Sequence, residues 1–205
     1  MPKIVNPDEK RNMIAQAACR AIAAKGIANV TMTDIAAEAN VTTGMIVNYF
    51  DTKDEIITAA LRLAFVNIRR KIAQRTSQDD LSELCDILEP AIAIAQSDRQ
   101  DIAVWIGFWG MLSADPEMQN LNDKLHQEGL ATYAAAIRVA WPESAGWPET
   151  VFADVLVSVA TCLFGLSAGA ITNPDTWTPH MLRKQLRLQL QLIRAWAISE
   201  ASDQA

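Results

Sequence analysis

Apolar residues recur every three or four positions along most of this sequence, which is the spacing of one face of an α-helix. Three such stripes lie within residues 13–22, 57–72 and 182–193. Runs in which apolar and polar residues alternate, as they do in half-buried strands, are few. The spacing therefore predicts an all-α fold, and 205 residues are enough for a small head joined to a larger helical body.

Residues that start and stop helices divide the first quarter of the chain into four predicted helices. The third of these should end near Tyr49-Phe50 and be only about seven residues long, whereas the fourth is long. The signals are, in chain order, Asn6-Pro7, Gly26, Thr31 with Asp34, Asn40-Val41-Thr42 and Asp51-Thr52.

The same signals predict four or five further helices in the rest of the chain. A polar break is expected at residues 76–80, where Asp79-Asp80 is typical of a solvated helix start, and a loop at residues 141–147. Residues 199–205 are expected to be a frayed tail. The predicted helices cover residues 84–95, 102–112, 115–140, 148–171 and 179–198.

Side chains suited to catalysis or metal binding are few and scattered. His126 and His180 lie on different predicted helices, and neither accompanies a nucleophile, a catalytic base or a metal-spaced cluster. The three cysteines are far apart and form no C-x-x-C, which is typical of reduced thiols in the cytoplasm. The N-terminal residues lack the apolar core of a signal peptide. We therefore expect a cytoplasmic protein that is not an enzyme and uses no cofactor.

Residues 151–171 form a long apolar stretch whose only charged residue is Asp154. Its length reaches that of a membrane span. No Lys or Arg lies between Val139 and Leu182, however, so neither end has a basic anchor. Small and polar residues also recur along one side of this predicted helix. These features favour a buried helix or a subunit interface, and we expect residues 148–171 and 179–198 to pair with a second copy in a homodimer.

The formal net charge of −6 is unevenly distributed. Residues 1–75 hold 11 Lys and Arg against 7 Asp and Glu, whereas residues 76–205 hold 7 against 17. Most of the excess positive charge lies within residues 62–75, because residues 1–60 alone carry 6 basic and 7 acidic side chains. A basic head on an acidic body suits a protein that presents one end to nucleic acid.

Residues 31–50 predict two short helices around a tight turn, the helix-turn-helix arrangement of many DNA-binding proteins. The second helix is too short to be stable alone. Its outward side chains are groups that hydrogen-bond phosphates or press on thymine methyls, and the ammonium of Lys53 can lie beside a phosphate at a helix N-terminus. The residues predicted to contact DNA are Thr31, Thr33, Thr42, Thr43, Gly44, Met45, Asn48, Tyr49 and Lys53.

This segment resembles the DNA-binding signature of TetR-type repressors. The resemblance covers about residues 8–57 and implies a DNA-binding domain over residues 1–55, with ligand binding and dimerisation in residues 56–205. It also implies that the third helix enters the major groove while Tyr49 and Lys53 contact phosphates. Asn40 replaces a frequent glycine in the turn, but asparagine tolerates positive φ. The matching positions are Thr31, Ile35, Ala36, Ala39, Val41, Thr42, Tyr49, Phe50, Lys53 and Ile56.

The predicted body resembles the choline-responsive, BetI-like branch of that family. The similar segments are Trp105-Ile106-Gly107-Phe108-Trp109, Asp115-Pro116 and Leu163-Phe164-Gly165-Leu166. The aromatic residues of the first segment are either ordinary core or the wall of an inducer pocket. Gly107 and Gly110 would leave space beside them, and the acidic body would favour a cationic inducer. The predicted ligand-binding residues are Trp105, Phe108, Trp109 and Tyr133.

Two other classes of protein fit parts of the sequence. One is a helical protein that binds a small molecule or a partner but not DNA, and the other is a membrane-associated helical protein. The motif from Thr31 to Lys53 argues against the first, and the missing basic anchors argue against the second. The sequence therefore predicts a homodimeric repressor that binds operator DNA and is released by a small molecule.

Overall fold

The computed structural model describes residues 6–78, 83–109 and 116–204, and every regular element in these ranges is helical. The predicted all-α fold is therefore confirmed. Two 3-10 turns, Glu89–Ile92 and Pro142–Gly146, connect longer helices. Some residues singled out from the sequence lie outside these ranges, namely Asp79, Asp80, Gly110, Leu112 and Asp115. The α-helices are α1 (Pro7–Lys25), α2 (Met32–Ala39), α3 (Thr43–Ile46), α4 (Lys53–Thr76), α5 (Leu84–Leu88), α6 (Gln96–Trp109), α7 (Pro116–Ala140), α8 (Glu149–Thr172) and α9 (Pro179–Asp203).

The buried side chains form two clusters, and α4, α6 and α7 contribute to both. The first, here called the head core, joins α1, α2 and α3 to the first half of α4 and also receives Val104 and Phe108 from α6 and Leu121 and Leu125 from α7. The second, the body core, joins the end of α4 and Ile102 of α6 to α5, α7, α8 and α9. Because α4 and α6 contribute to both clusters, the head is packed firmly against the body.

The structure corrects the predicted helix over residues 84–95 and the predicted end of the last helix. The helix expected over residues 84–95 divides into α5 and a 3-10 turn, because Pro90 lacks the N–H that a continuing helix would use and Ala93 adopts a φ of 57°. At the other end of the chain the expected frayed tail is helical to Asp203. Burial of Ala197 and a hydrogen bond from Ser202 Oγ to the Ile198 carbonyl, 2.8 Å long, support that last turn.

The apolar helix α8 is long and apolar enough to cross a membrane by length and composition, with a mean hydropathy of 2.0. In the structure it packs against α9, α6 and α7. Two hydrogen bonds fix it to the body. The buried Ser167 Oγ donates to the Ala91 carbonyl at 2.5 Å, and the partly buried Arg99 donates to the Ala170 carbonyl at 2.7 Å. One side of α8 is therefore part of the body core, while Val157 on the opposite side is 60 % exposed.

Candidate nucleic-acid interface and ligand cavity

Reciprocal hydrogen bonds fix the start of α2. The Thr31 hydroxyl accepts from the Asp34 backbone N–H at 3.2 Å, and the Asp34 carboxylate accepts from the Thr31 backbone N–H at 3.0 Å. Lys25 Nζ, at the end of α1, lies 2.6 Å from the same carboxylate. The hydrogen bond from Lys25, followed by those from Thr31, lowers the pKa of Asp34 to about 2. This capping box, expected from the sequence, therefore also joins α1 to α2.

The turn between α2 and α3 forms as the sequence predicts. Asn40 adopts φ 53° and ψ 44°, the left-handed conformation that asparagine tolerates. The Thr42 hydroxyl then caps α3 by accepting from the Met45 backbone N–H at 3.2 Å. The second helix of the motif is thus oriented by its cap and by the turn before it.

The third helix is shorter than predicted. Regular α-helix ends at Ile46, and residues 47–49 continue as turns in which the Tyr49 N–H donates to the Ile46 carbonyl at 2.9 Å. Such i to i−3 hydrogen bonds tighten the last turn of a helix. Arg11 of α1 caps this end, since its guanidinium donates to the Tyr49 carbonyl and its Cζ lies 4.1 Å from the centroid of the Phe50 ring. Sequence reasoning missed Arg11, because 38 residues separate it from Tyr49 and no local pattern links them.

Most of the residues predicted to contact DNA lie on the outer surface of this motif. Met45, Tyr49 and Lys53 are partly buried, and the Lys53 ammonium donates to the Val30 carbonyl at 3.2 Å. Val47, which the sequence analysis did not include, is 55 % exposed on the same surface. The exposed predicted residues are Thr31, Thr33, Thr42, Thr43, Gly44 and Asn48.

The basic residues between 62 and 75 do not give the head a positive surface, as the charge distribution along the sequence suggested. Arg69 forms an ion pair with Glu128. Lys71 Nζ lies 2.6 Å from Asp98 Oδ1, and Arg75 lies 3.1 Å from Glu89. These side chains project from the second half of α4 towards acidic residues of the body. Their charges are therefore offset within the body, and the charge asymmetry along the sequence is poor support for DNA binding.

A cavity of about 210 Å³ lies between α4, α6, α7 and α8. Three predicted ligand-binding residues, Trp105, Trp109 and Tyr133, line it. The contributions of α4 and α8 could not be predicted from the sequence, because no local pattern shows that these helices meet α6. The other lining residues are Phe65, His126, Gly129, Leu130, Val157, Ala160, Thr161 and Phe164.

Four aromatic rings form a connected cluster along the cavity wall. The Trp109 and Phe164 rings are stacked, with centroids 3.7 Å apart and planes inclined by 11°. Trp105 meets Phe65 and Phe164 edge to face, with centroid distances of 5.7 Å in both pairs. Because each ring packs against its neighbours, the four rings form one continuous aromatic wall.

Phe108 is not part of this cavity, and the prediction that placed it there was wrong. Its side chain is 1 % exposed and lies in the head core. Gly107 also faces the head, where an added β-carbon would lie 3.4 Å from Ile27. This glycine allows α6 to pack closely against the head and does not open space beside the tryptophans. The aromatic run on α6 is divided between two cores because the helix lies between them.

Three of the described lining residues carry polar side chains, namely His126, Tyr133 and Thr161. Burial raises the pKa of the Tyr133 phenol to about 12, so its hydroxyl stays protonated at physiological pH. Among the described residues that hydroxyl makes no hydrogen bond, whereas the Thr161 hydroxyl donates to the Val157 carbonyl at 2.8 Å. None of the described lining residues is a carboxylate. The cavity can therefore hold a mostly apolar molecule against aromatic rings, with the Tyr133 hydroxyl as a polar contact.

Comparison with known proteins gives two family matches. Residues 14–60 match the family described as bacterial regulatory proteins, tetR family. Residues 81–195, more than half of the chain, match the family described as BetI-type transcriptional repressor, C-terminal.

Individual relatives agree with these matches. The chain is 28 % identical over 149 residues to the HTH-type transcriptional regulator BetI of Burkholderia cenocepacia. The aligned region covers 68 % of this chain and 76 % of the relative. A transcriptional regulator from Rhodococcus superposes with a TM-score of 0.76 at 18 % identity, over 94 % of this chain and 98 % of that one. A regulator from Saccharomonospora viridis, solved in complex with choline, superposes with a TM-score of 0.69 at 23 % identity. The superposition covers 87 % of this chain and 94 % of that regulator.

Proposed function

Because this chain belongs to the TetR family of bacterial transcriptional regulators and has a BetI-type body, we propose that it is a homodimeric repressor that binds operator DNA through α2 and α3. Residues 1–55 would form the DNA-binding domain, and residues 56–205 would bind the inducer and the second subunit. The observation that carries the proposal is the exposed surface of residues 42–48, held in place by the Thr31 cap and the Asn40 turn. On this proposal the protein acts in the cytoplasm and has no catalytic activity.

Lys53 and Tyr49 are proposed to contact phosphates at the edge of the groove. Lys53 lies in the first turn of α4, where the positive end of the helix dipole adds to the charge of its ammonium. Its hydrogen bond to the Val30 carbonyl holds the ammonium beside the start of α2. A DNA phosphate at this position would meet both the ammonium and the helix end.

Dimerisation is proposed through the outer sides of α8 and α9. Val157 on α8 is 60 % exposed, and Leu192 and Trp196 on α9 are 58 % and 42 % exposed. Leu192 and Trp196 lie four residues apart and so share one face of their helix. Apolar side chains grouped on two adjacent helices are what a two-fold helical interface would bury. A dimer of this kind would place its two α3 helices about one DNA turn, ~34–36 Å, apart.

The inducer is proposed to be a small organic cation in the aromatic cavity. Trp105, Trp109 and Tyr133 offer ring faces and edges, and the faces of such rings attract quaternary ammonium groups. The chain as a whole is acidic, which favours a cation over an anion. The choline complex of the Saccharomonospora viridis regulator is consistent with this assignment. The Tyr133 hydroxyl would hydrogen-bond a polar group at the far end of the ligand.

Helix α6 connects this cavity to the head. Trp105 and Trp109 line the cavity, whereas Val104 and Phe108 lie in the head core. A ligand that binds better to a shifted position of α6 would favour a different arrangement of the two heads. The ligand can lower the affinity for DNA only to the extent that it binds one arrangement of the heads more tightly than the other.

The deciding experiment is a gel shift with DNA that flanks the chain's own gene, at a stated salt concentration. We expect specific retardation by wild-type protein, and loss of binding when Thr43 and Asn48 are both changed to Ala. A ligand-binding protein without DNA-binding activity is the alternative. If the purified, folded protein binds no fragment more tightly than random DNA, that alternative replaces this proposal.

A further inference from the structure

Val47 exposes an apolar side chain where the fold does not require one. It is 55 % exposed, whereas its neighbour Ile46 is fully buried and Phe50 is 1 % exposed. Val47 is therefore outside the head core. Valine also has a low helix propensity, because its branched β-carbon restricts χ1. Neither packing nor local backbone preference explains a valine here.

The surface around Val47 is open and uncharged. Thr43 and Gly44 precede Val47 by four and three residues, so all three lie on one side of the segment. A β-carbon at Gly44 would meet only the Thr42 hydroxyl oxygen, at 3.8 Å. No side chain covers the backbone at Gly44, so the edge of a base pair can approach the two methyl groups of Val47 closely.

The absence of charge excludes the commonest form of base recognition. Arginine and lysine read guanine through hydrogen bonds to O6 and N7, but residues 39–50 contain no charged side chain. A valine can only make an apolar contact. In the major groove the C5 methyl of thymine is the apolar group that base pairs offer.

We propose that Val47 specifies thymine in each operator half-site by packing against its C5 methyl group. This inference rests on the proposed binding of DNA through α3. Cytosine at the same position carries only hydrogen at C5, so the valine methyls would lose their apolar contact, and its N4 amino group would replace the O4 acceptor of thymine. Asn48, the next residue, is exposed on the same uncharged surface. Its side-chain amide can hydrogen-bond the N6 and N7 atoms of an adenine.

The test compares thymine with deoxyuridine in an operator selected from a random pool by the wild-type protein. Deoxyuridine lacks only the C5 methyl and keeps both hydrogen-bonding edges. Each thymine of one half-site is replaced in turn, and binding is measured by gel shift. We expect one or two positions at which the replacement weakens wild-type binding about fourfold, the effect of removing one buried methyl group.

Val47→Ala changes both heads of the dimer, so it should bind the thymine operator about fourfold more weakly for each head, or roughly 16-fold in total. It should bind the thymine and deoxyuridine operators equally at that position. Val139→Ala is the matched control, since Val139 is 53 % exposed on α7. This control should distinguish the two operators as the wild type does. Circular dichroism of both variants should show unchanged helix content.

Three results would overturn the inference. The first is a selected operator whose half-site contains no thymine. The second is that no deoxyuridine replacement changes the affinity of the wild-type protein. The third is that Val47→Ala still prefers thymine to deoxyuridine. Each of these leaves DNA binding itself intact. If the random pool yields no sequence that wild-type protein prefers, the proposed function fails together with this inference.

Discussion

Trp109 of α6 and Phe164 of α8 stack face to face, with ring centroids 3.7 Å apart. Each ring thus uses one face to hold the other, and both rings line the cavity. The contact joins the helix that reaches the head core to the helix that we propose as part of the dimer interface. A ligand that enters beside these rings can therefore act on both regions.

The first prediction concerns the cationic inducer. Titration with choline or tetramethylammonium should produce a saturable change in tryptophan fluorescence and release bound DNA. Tyr133→Leu should weaken cation binding roughly 2- to 30-fold, as expected for the loss of one cation–π contact. Tyr133→Phe keeps the ring and is the matched control, with tetramethylammonium affinity close to that of the wild type. Release of DNA only by an anionic or uncharged apolar compound would refute the cation assignment.

The second prediction concerns Lys53 and the salt dependence of DNA binding. Lys53→Ala should weaken binding to all sequences alike and reduce the slope of log K against log salt by about one for each head. Lys124→Ala is the control, because this exposed lysine lies on α7. A changed operator preference with an unchanged slope would contradict the phosphate contact.

The third prediction concerns the dimer. Leu192→Asp should convert the protein to a monomer at micromolar concentration, because the exposed Leu192 side chain would bring a charge into the proposed apolar interface. Val139→Asp introduces the same charge at a site of similar exposure outside α8 and α9, and this variant should remain dimeric. Sedimentation velocity distinguishes these outcomes. A wild-type protein that sediments as a stable monomer would exclude the proposed interface.

The fourth prediction concerns acid unfolding of the head. The pKa of Asp34 is about 2 in the folded protein, against 3.8 for an ordinary aspartate side chain. A lowered folded pKa means that this carboxylate contributes stability above pH 4 and loses that contribution as the pH falls towards 2. Asp34→Asn should therefore be less stable than wild type at pH 7, and the difference should shrink between pH 4 and pH 2. Urea unfolding of both proteins at several pH values measures this difference in the free energy of unfolding. A difference that does not change with pH would contradict the prediction.

Local features of the head could be predicted because they depend on residues close together in sequence. The capping box of Thr31 and Asp34 joins positions three apart, and the turn at Asn40 requires only a residue that tolerates positive φ. The contact between Arg11 and Tyr49 could not be predicted in this way, since it spans 38 residues. The partial burial of Lys53 against Val30 is likewise a product of tertiary packing.

The helical fold, most helix boundaries and the DNA-binding motif could be predicted without coordinates, because helix periodicity and capping act over a few residues. The tertiary structure decided what each helix face meets. Trp105 and Phe108 are only three residues apart, yet one lines the cavity and the other lies in the head core. In the same way Lys71, counted with a basic head, forms an ion pair with Asp98 of the body. Helix periodicity shows which side chains share a face, but the partner of that face depends on how distant helices pack.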